Sequence, residues 1–166
     1  MKKYLFILIT LFVAGYLASK VQSSWGKVRV QSIKIPTQNG QWLVADLFKP
    51  VSANASNPSP LVIVVPGFQR SKETLSNISI ELSRRGIVTI AIDPYAQGLS
   101  SSSFSKRAAT KEGYGMFALV DYVYDTSILN YIDRDKIGVT GHSAGGLAAM
   151  RAAQHFGKLA KKNNTK

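Results

Sequence analysis

Apolar and polar positions along the chain fall into short stretches, each with its own period. After Lys2-Lys3, an unbroken apolar run extends from Tyr4 to Ala18 and closes at Lys20. Alternation follows at Val28, Val30, Ile33 and Ile35, which predicts a strand over Trp25–Ile35. Pro36 to Gly40 reads as a turn with the Asn-Gly hairpin cue, so a second strand over Trp42–Phe48 pairs with the first antiparallel. Pro50 to Pro60 (PVSANASNPSP) is polar and proline-punctuated, and predicts a loop with neither helix nor strand. Leu61–Val65 and Ile87–Ile92 are continuous apolar runs, the habit of strands buried on both faces of a parallel sheet. Between them Thr74, Leu75, Ile78 and Leu82 have helical spacing, predicting a helix over Lys72–Arg85 with Ser71 as its cap and Gly86 as its stop.

The second half continues in the same manner. Ser100–Lys111 is serine-rich and basic and predicts an exposed loop, and Glu112–Leu129 predicts a helix. Asp133–Lys136 is a charged turn before the apolar run Ile137–Thr140, and an alanine-rich helix follows over Leu147–Phe156. Strand, helix, strand, helix, strand with buried parallel strands predicts a doubly wound α/β domain.

Composition narrows the chemistry. The 166 residues contain no cysteine, which excludes a disulfide framework, a thiolate metal site, a cysteine nucleophile and a lipidated cysteine. Two histidines make a histidine-rich metal centre a poor fit, and no cofactor signature is found. The formal charge of +12 suggests nucleic acid until it is located. Lys2, Lys3, Lys20, Arg151, Lys158, Lys161, Lys162 and Lys166 lie near the two ends, and without those eight the body carries only +4. No basic-aromatic stripe accompanies the charge, so nucleic acid is not expected as a partner. The first 24 residues have the layout of a secretory signal peptide, with a basic start, an apolar run and a small-residue site at Val21-x-Ser23. The alternative is an uncleaved N-terminal anchor. Either way the domain is expected to work outside the cytosol, touching membrane only through this segment.

The stretch richest in chemistry is Ile137-Gly138-Val139-Thr140-Gly141-His142-Ser143-Ala144-Gly145-Gly146. A β-branched run ends in Gly-x-Ser-x-Gly and a helix follows at once, the strand–turn–helix setting that exposes a nucleophilic serine. Gly141 and Gly145 stand two residues either side of Ser143, where a Cβ would collide with the neighbouring backbone. The helix then directs its N-terminal N–H groups and positive dipole end toward an oxyanion beside Ser143. Two rival glycine loops fail on the letters. A dinucleotide fingerprint needs glycine where Ser143 stands, and a phosphate loop needs lysine where Leu147 follows Gly146.

With these pieces in place, the chain from about Val28 to Phe156 resembles the α/β-hydrolase fold family. Pro66-Gly67-Phe68 stands where the family often has His-Gly-X. Asp93-Pro94-Tyr95-Ala96-Gln97-Gly98-Leu99-Ser100 resembles its Asp-x-x-Gly-x-Gly-x-Ser loop, with Ala96 in place of one glycine. Ile132–Ile137 resembles the lead into the elbow strand, and Gly141–Gly146 matches the elbow itself. Secreted esterases, lipases and dienelactone-hydrolase-like enzymes are the most similar branches. The resemblance implies a mostly parallel sheet with helices on both faces. It also implies a serine hydrolase of small carboxylic ester-like substrates, with Ser143 as nucleophile and the backbone N–H groups of Phe68 and Ala144 as the oxyanion hole. The Phe68 ring has a second reading, as a core aromatic capping the sheet. Asp93 reads as a turn residue binding local N–H groups rather than as an acid catalyst.

In this family the order is serine, then Asp or Glu, then histidine. After Ser143 the chain has no Asp or Glu, and its only later histidine is His155. Twelve helical residues put His155 about 18 Å along the axis from Ser143, out of reach. His142 is adjacent, but neighbouring side chains at a sharp turn diverge. Neither the triad acid nor the triad base is therefore identified. The expectation is a partial α/β-hydrolase domain over 25–158, cut off after the elbow helix, with a basic polar tail over 159–166 and little turnover of its own. The elbow strand would then be an exposed sheet edge prone to association. The alternative is a non-catalytic α/β-hydrolase-like binding or interaction protein.

Overall fold

The computed structural model describes residues 2–102 and 111–164. The elements are α1 (Lys2–Gln22), β1 (Val28–Pro36), β2 (Trp42–Pro50), β3 (Ser59–Val65), α2 (Ser76–Arg84), β4 (Val88–Ile92), α3 (Met116–Asp125), β5 (Ile132–Gly141) and α4 (Ala144–Asn164). The five strands form one mixed sheet in the order β1-β2-β4-β3-β5. β1 and β2 pair antiparallel, as do β2 and β4, whereas β3 pairs parallel with both β4 and β5.

Helices cover both faces, which is why the central runs are apolar without a break. Leu61, Ile63 and Val65 point to the face holding α3 and α4, where Met116, Leu119, Val123, Ala149 and Ala152 meet them. Val64 and Ala91 point to the other face with Val28 and Phe48, where Leu75 and Ile80 pack. Burying such side chains stabilises the fold by about 1.5–3 kcal/mol each.

Several predicted boundaries move. Lys72–Leu75 is a 3-10 turn, and the α-helix begins only at Ser76. Ser71 supplies no side-chain cap; its hydroxyl bonds Glu73 instead. The face of α2 against the sheet is lined by Ser79 and Ser83 rather than by the predicted Ile78, which is exposed. Small hydroxyls allow close approach and satisfy themselves locally. Ser79 Oγ donates to the Leu75 carbonyl and Ser83 Oγ to the Phe48 carbonyl. The first strand starts at Val28, because Ser24, Trp25 and Gly26 are left-handed.

The proline-punctuated loop is shorter than predicted, since β2 runs to Pro50 and β3 begins at Ser59. Pro60 lies within β3, where it donates no N–H, and there the register with β5 breaks. Ser59 pairs with Ile132 and Leu61 with Ile137, so the charged residues Asp133–Lys136 bulge out of the strand instead of preceding it. The predicted helix over Glu112–Leu129 is confined to Met116–Asp125, with left-handed Tyr114 and Gly115 before it and extended Thr126 after it. The last helix is longer than predicted, beginning at Ala144 and taking in most of the expected tail as far as Asn164. Most of the predicted loop over Ser100–Lys111 lies outside the described residues. Among the described residues β5 is a sheet edge.

Candidate functional site

The C-terminal ends of β3, β4 and β5 lie side by side, and each runs into a turn that meets its neighbour. At β5 the chain reverses through Gly141, His142 and Ser143 into α4. His142 N–H donates to the Val65 carbonyl at 3.2 Å, holding the turn against the end of β3. Gly145 N–H donates to the His142 carbonyl and Leu147 N–H to the Ser143 carbonyl, which starts the helix. A Cβ on Gly141 would stand 2.7 Å from the Val65 carbonyl oxygen, and one on Gly145 would stand 2.6 Å from that of Pro66. Both contacts are with backbone that cannot retreat, so glycine is required at each position.

Ser143 takes φ 53°, the left-handed region that costs a residue with a side chain about 1–2 kcal/mol. That conformation turns its side chain outward, and Ser143 is exposed. Among the described residues its hydroxyl has no hydrogen-bond partner.

The loop after β3 faces this serine. A Cβ on Gly67 would stand 3.4 Å from Ser143 Cβ and 3.2 Å from His142 Nδ1, which measures how closely the loop passes. Arg70 N–H closes a turn on the Gly67 carbonyl at 3.2 Å, with Gln69 left-handed at φ 55°. The Phe68 ring is 67% exposed, so the reading of it as a core aromatic is overturned. Among the described residues neither the Phe68 N–H nor the Ala144 N–H donates to any protein group. Two unused backbone donors thus lie on the two turns that carry and face the unused hydroxyl.

Asp93, at the end of β4, has the opposite situation. It is buried, and its carboxylate accepts from Lys72 N–H at 2.8 Å and Leu99 N–H at 2.9 Å. Ser100 Oγ donates to its carbonyl and Asp93 N–H donates to the Val44 carbonyl. A Cβ on Gly98 would run into the carboxylate. Asp93 therefore ties together the loops after β3 and β4; its bond to Leu99 N–H is of the local kind its turn-residue reading predicts, whereas that to Lys72 N–H spans 21 residues.

Sequence reasoning missed the cation beside it. The Lys72 side chain is buried, with Nζ 3.8 Å from both Asp93 Oδ2 and Asp46 Oδ2 and in direct contact with Glu73. Burial pushes the ammonium toward losing its proton, but Glu73, Asp93 and Asp46 outweigh it and raise its pKa. The Lys72 contact holds the Glu73 carboxyl down at about 2, whereas burial lifts that of Asp46. No spacing in the sequence announces this cluster, because Asp46, Lys72 and Asp93 come from three separate segments.

His155 stays far from Ser143. It lies on α4 stacked on Phe117 at 4.6 Å between ring centroids. There it lines a cleft of about 830 Å³ with Asp121, Arg151 and Lys158. Among the described residues no group of acids, histidines or cysteines could hold a metal.

No curated protein matches the chain. Solved structures do. Est1E from Butyrivibrio proteoclasticus, solved with ferulic acid bound, is 28% identical with a TM-score of 0.61, over 73% of this chain and 46% of that one. The esterase Pf2001 of Pyrococcus furiosus is 22% identical with a TM-score of 0.62, over 81% of this chain and 46% of that one. The α/β-hydrolase GrgF from Penicillium sp. sh18 is 22% identical with a TM-score of 0.61, over 75% of this chain and 41% of that one. The chain thus spans less than half the length of these structures. A family model described as PET hydrolase-like matches residues 15–163, and the chain belongs to this α/β-hydrolase family.

Proposed function

We propose that the chain carries the nucleophile and oxyanion hole of a serine hydrolase acting on carboxylic esters. One observation carries this reading: the Ser143 hydroxyl is exposed on a left-handed turn and, like the N–H groups of Ala144 next to it and of Phe68 on the facing loop, has no protein partner among the described residues. In the reaction Ser143 Oγ attacks the ester carbonyl and gives up its proton. The carbonyl oxygen holds the negative charge, received by the two N–H groups, until the carbonyl re-forms. The C–O bond to the alkoxide then breaks, and the alkoxide takes up the proton given up by Ser143 to leave as an alcohol, giving an acyl-enzyme. Each such donor typically contributes about 3 kcal/mol to the transition state. Aromatic carboxylic esters are the first class to test, because the family is PET hydrolase-like and the Est1E structure holds ferulic acid.

The proton acceptor is the missing part. His155 is about 18 Å down α4, and residues 103–110 contain no histidine or carboxylate. Turnover by these 166 residues is therefore slow or absent. A second reading is an α/β-hydrolase-like protein that binds esters at the turns carrying Phe68 and Ser143 without cleaving them.

A fluorophosphonate probe, with Ser143→Ala as control, tests both. Slow labelling that disappears in S143A is the expected result. Labelling no faster than in S143A, with a stable ester analogue still binding, favours the second reading. Fast labelling means that a base has been overlooked.

A further inference from the structure

The apolar N-terminal helix leaves the domain at a defined place. β1 is antiparallel to β2 and β2 is antiparallel to β4, so β1 runs the same way as β3, β4 and β5. Its first residue, Val28, pairs with Pro50, while Phe48 pairs with Thr89 at the beginning of β4. The helix therefore joins the sheet where the parallel strands start. Ser143 follows Gly141, which pairs with Val65 where they finish. Five residues of β4 at about 3.3 Å each leave about 17 Å of sheet between the two ends.

The junction is built rather than loose. α1 continues to Gln22, and Trp25 N–H donates to the Lys20 carbonyl at 2.7 Å. Ser24, Trp25 and Gly26 are all left-handed, and Val28 N–H returns to the Ser23 carbonyl at 3.0 Å. From the end of α2, the Arg84 guanidinium donates to the Val21 carbonyl at 2.9 Å, and Val51 N–H ties the Lys27 carbonyl to the next loop. The small-residue site at Val21-x-Ser23 is thus wound into a helix end and its turn.

The 21 residues of α1, at about 1.5 Å each, match a hydrocarbon core of about 30 Å. Lys2–Val21 has a mean hydropathy of 1.9, and none of it is buried against the domain. At its inner end Trp25 is 68% exposed beside Lys20 and Lys27, the aromatic and basic residues that settle at headgroups.

We propose that α1 is retained as a bilayer anchor, and that its rigid junction sets the starting ends of the strands against the lipid while Ser143 faces water on the far side. On the hydrolase reading above, esters dissolved in water or presented on another surface reach Ser143, and lipid esters of the same bilayer do not.

The absence of cysteine makes the test direct, since one introduced thiol is the only thiol present. Lys27→Cys and Leu99→Cys, both at exposed positions, place an environment-sensitive fluorophore at the two ends of the sheet. The full chain is reconstituted into vesicles of phosphatidylcholine and phosphatidylglycerol with brominated acyl chains. Quenching several-fold stronger at position 27 than at 99 is expected, as is an intact mass beginning at Met1 in the membrane fraction of expressing cells. Arg84→Gln keeps α1 and its flotation with the vesicles but reduces the contrast between the two positions. Equal quenching, a mature chain beginning near Ser24, or a detergent-free dimer that does not float with vesicles overturns the proposal. Fluorophosphonate labelling enters none of these readouts, so the anchor and the hydrolase reading fail separately.

Discussion

Two strand ends on the same side of the sheet, with β3 between them, are built from the same kinds of polar group and use them in opposite ways. At the end of β4, Asp93 directs its carboxylate to two backbone N–H groups and to the buried Lys72 ammonium. At the end of β5 the Ser143 hydroxyl and the Ala144 N–H, and on the facing loop after β3 the Phe68 N–H, have no protein partner among the described residues. The first end is locked and the second is available. A polar group saturated by the protein holds loops in place, whereas one left unsaturated at the surface can meet a substrate at no cost in broken protein contacts. The loop after β3 joins the two, because its Lys72 end is bound to Asp93 while its Gly67 end lies against Ser143.

Breaking the locked end has the largest expected effect. Asp93→Ala leaves the Lys72 ammonium buried beside fewer acids and strips two N–H groups of their acceptor, for a loss of about 3–5 kcal/mol. Urea unfolding followed by circular dichroism measures it, and a loss under 1 kcal/mol would mean that Asp93 does not organise the loops. Gly145→Ala tests the other end by steric means. Its new Cβ meets the Pro66 carbonyl, and a destabilisation of about 3 kcal/mol is expected on the same assay.

The sign reverses at two strained positions. Ala96 sits at φ 60° where glycine would be relaxed, and Ser143 sits at φ 53°. Ala96→Gly and Ser143→Gly should each raise stability by about 1 kcal/mol, read as an upward shift in melting temperature. Only the second should abolish probe labelling. Equal loss of labelling in both would place the geometry of the Ser143 turn under the control of the β4 loop.

The smallest effect concerns pH. Contact with Lys72 depresses the Glu73 carboxyl from its ordinary 4.5 to about 2 in the folded chain, so its contribution is present above 4.5 and fades as pH falls toward 2. The Glu73 side chain is 61% exposed, and solvent screening limits the contribution to below about 1 kcal/mol. Glu73→Gln should flatten the acid limb of the stability curve between those two values and leave probe labelling at neutral pH unchanged. An unchanged acid limb would show that the Glu73–Lys72 contact does not persist in solution.

The letters around Ser143 revealed more than those around Lys72, for a physical reason. The turn at Ser143 is local: strand, glycine, serine, glycine and helix follow one another within ten residues, and steric demand fixes glycine on either side of the serine. Continuous apolar runs likewise identified β3 and β4 as strands covered on both sides. Helix limits were less legible. The face of α2 depends on how closely a serine-lined helix approaches Phe48 and Thr89, and the start of α3 depends on left-handed backbone at Tyr114 and Gly115. Neither leaves a periodic trace.

By itself, then, the sequence determined the order of strands and helices and the bend at Ser143, since each depends on neighbours along the chain. Tertiary structure alone decided that Lys72 is buried among Asp46, Glu73 and Asp93, that Gly67 passes beside Ser143, and that α1 joins the opposite end of the sheet. Those contacts join residues tens of positions apart, and only the pairing and direction of the strands bring them together.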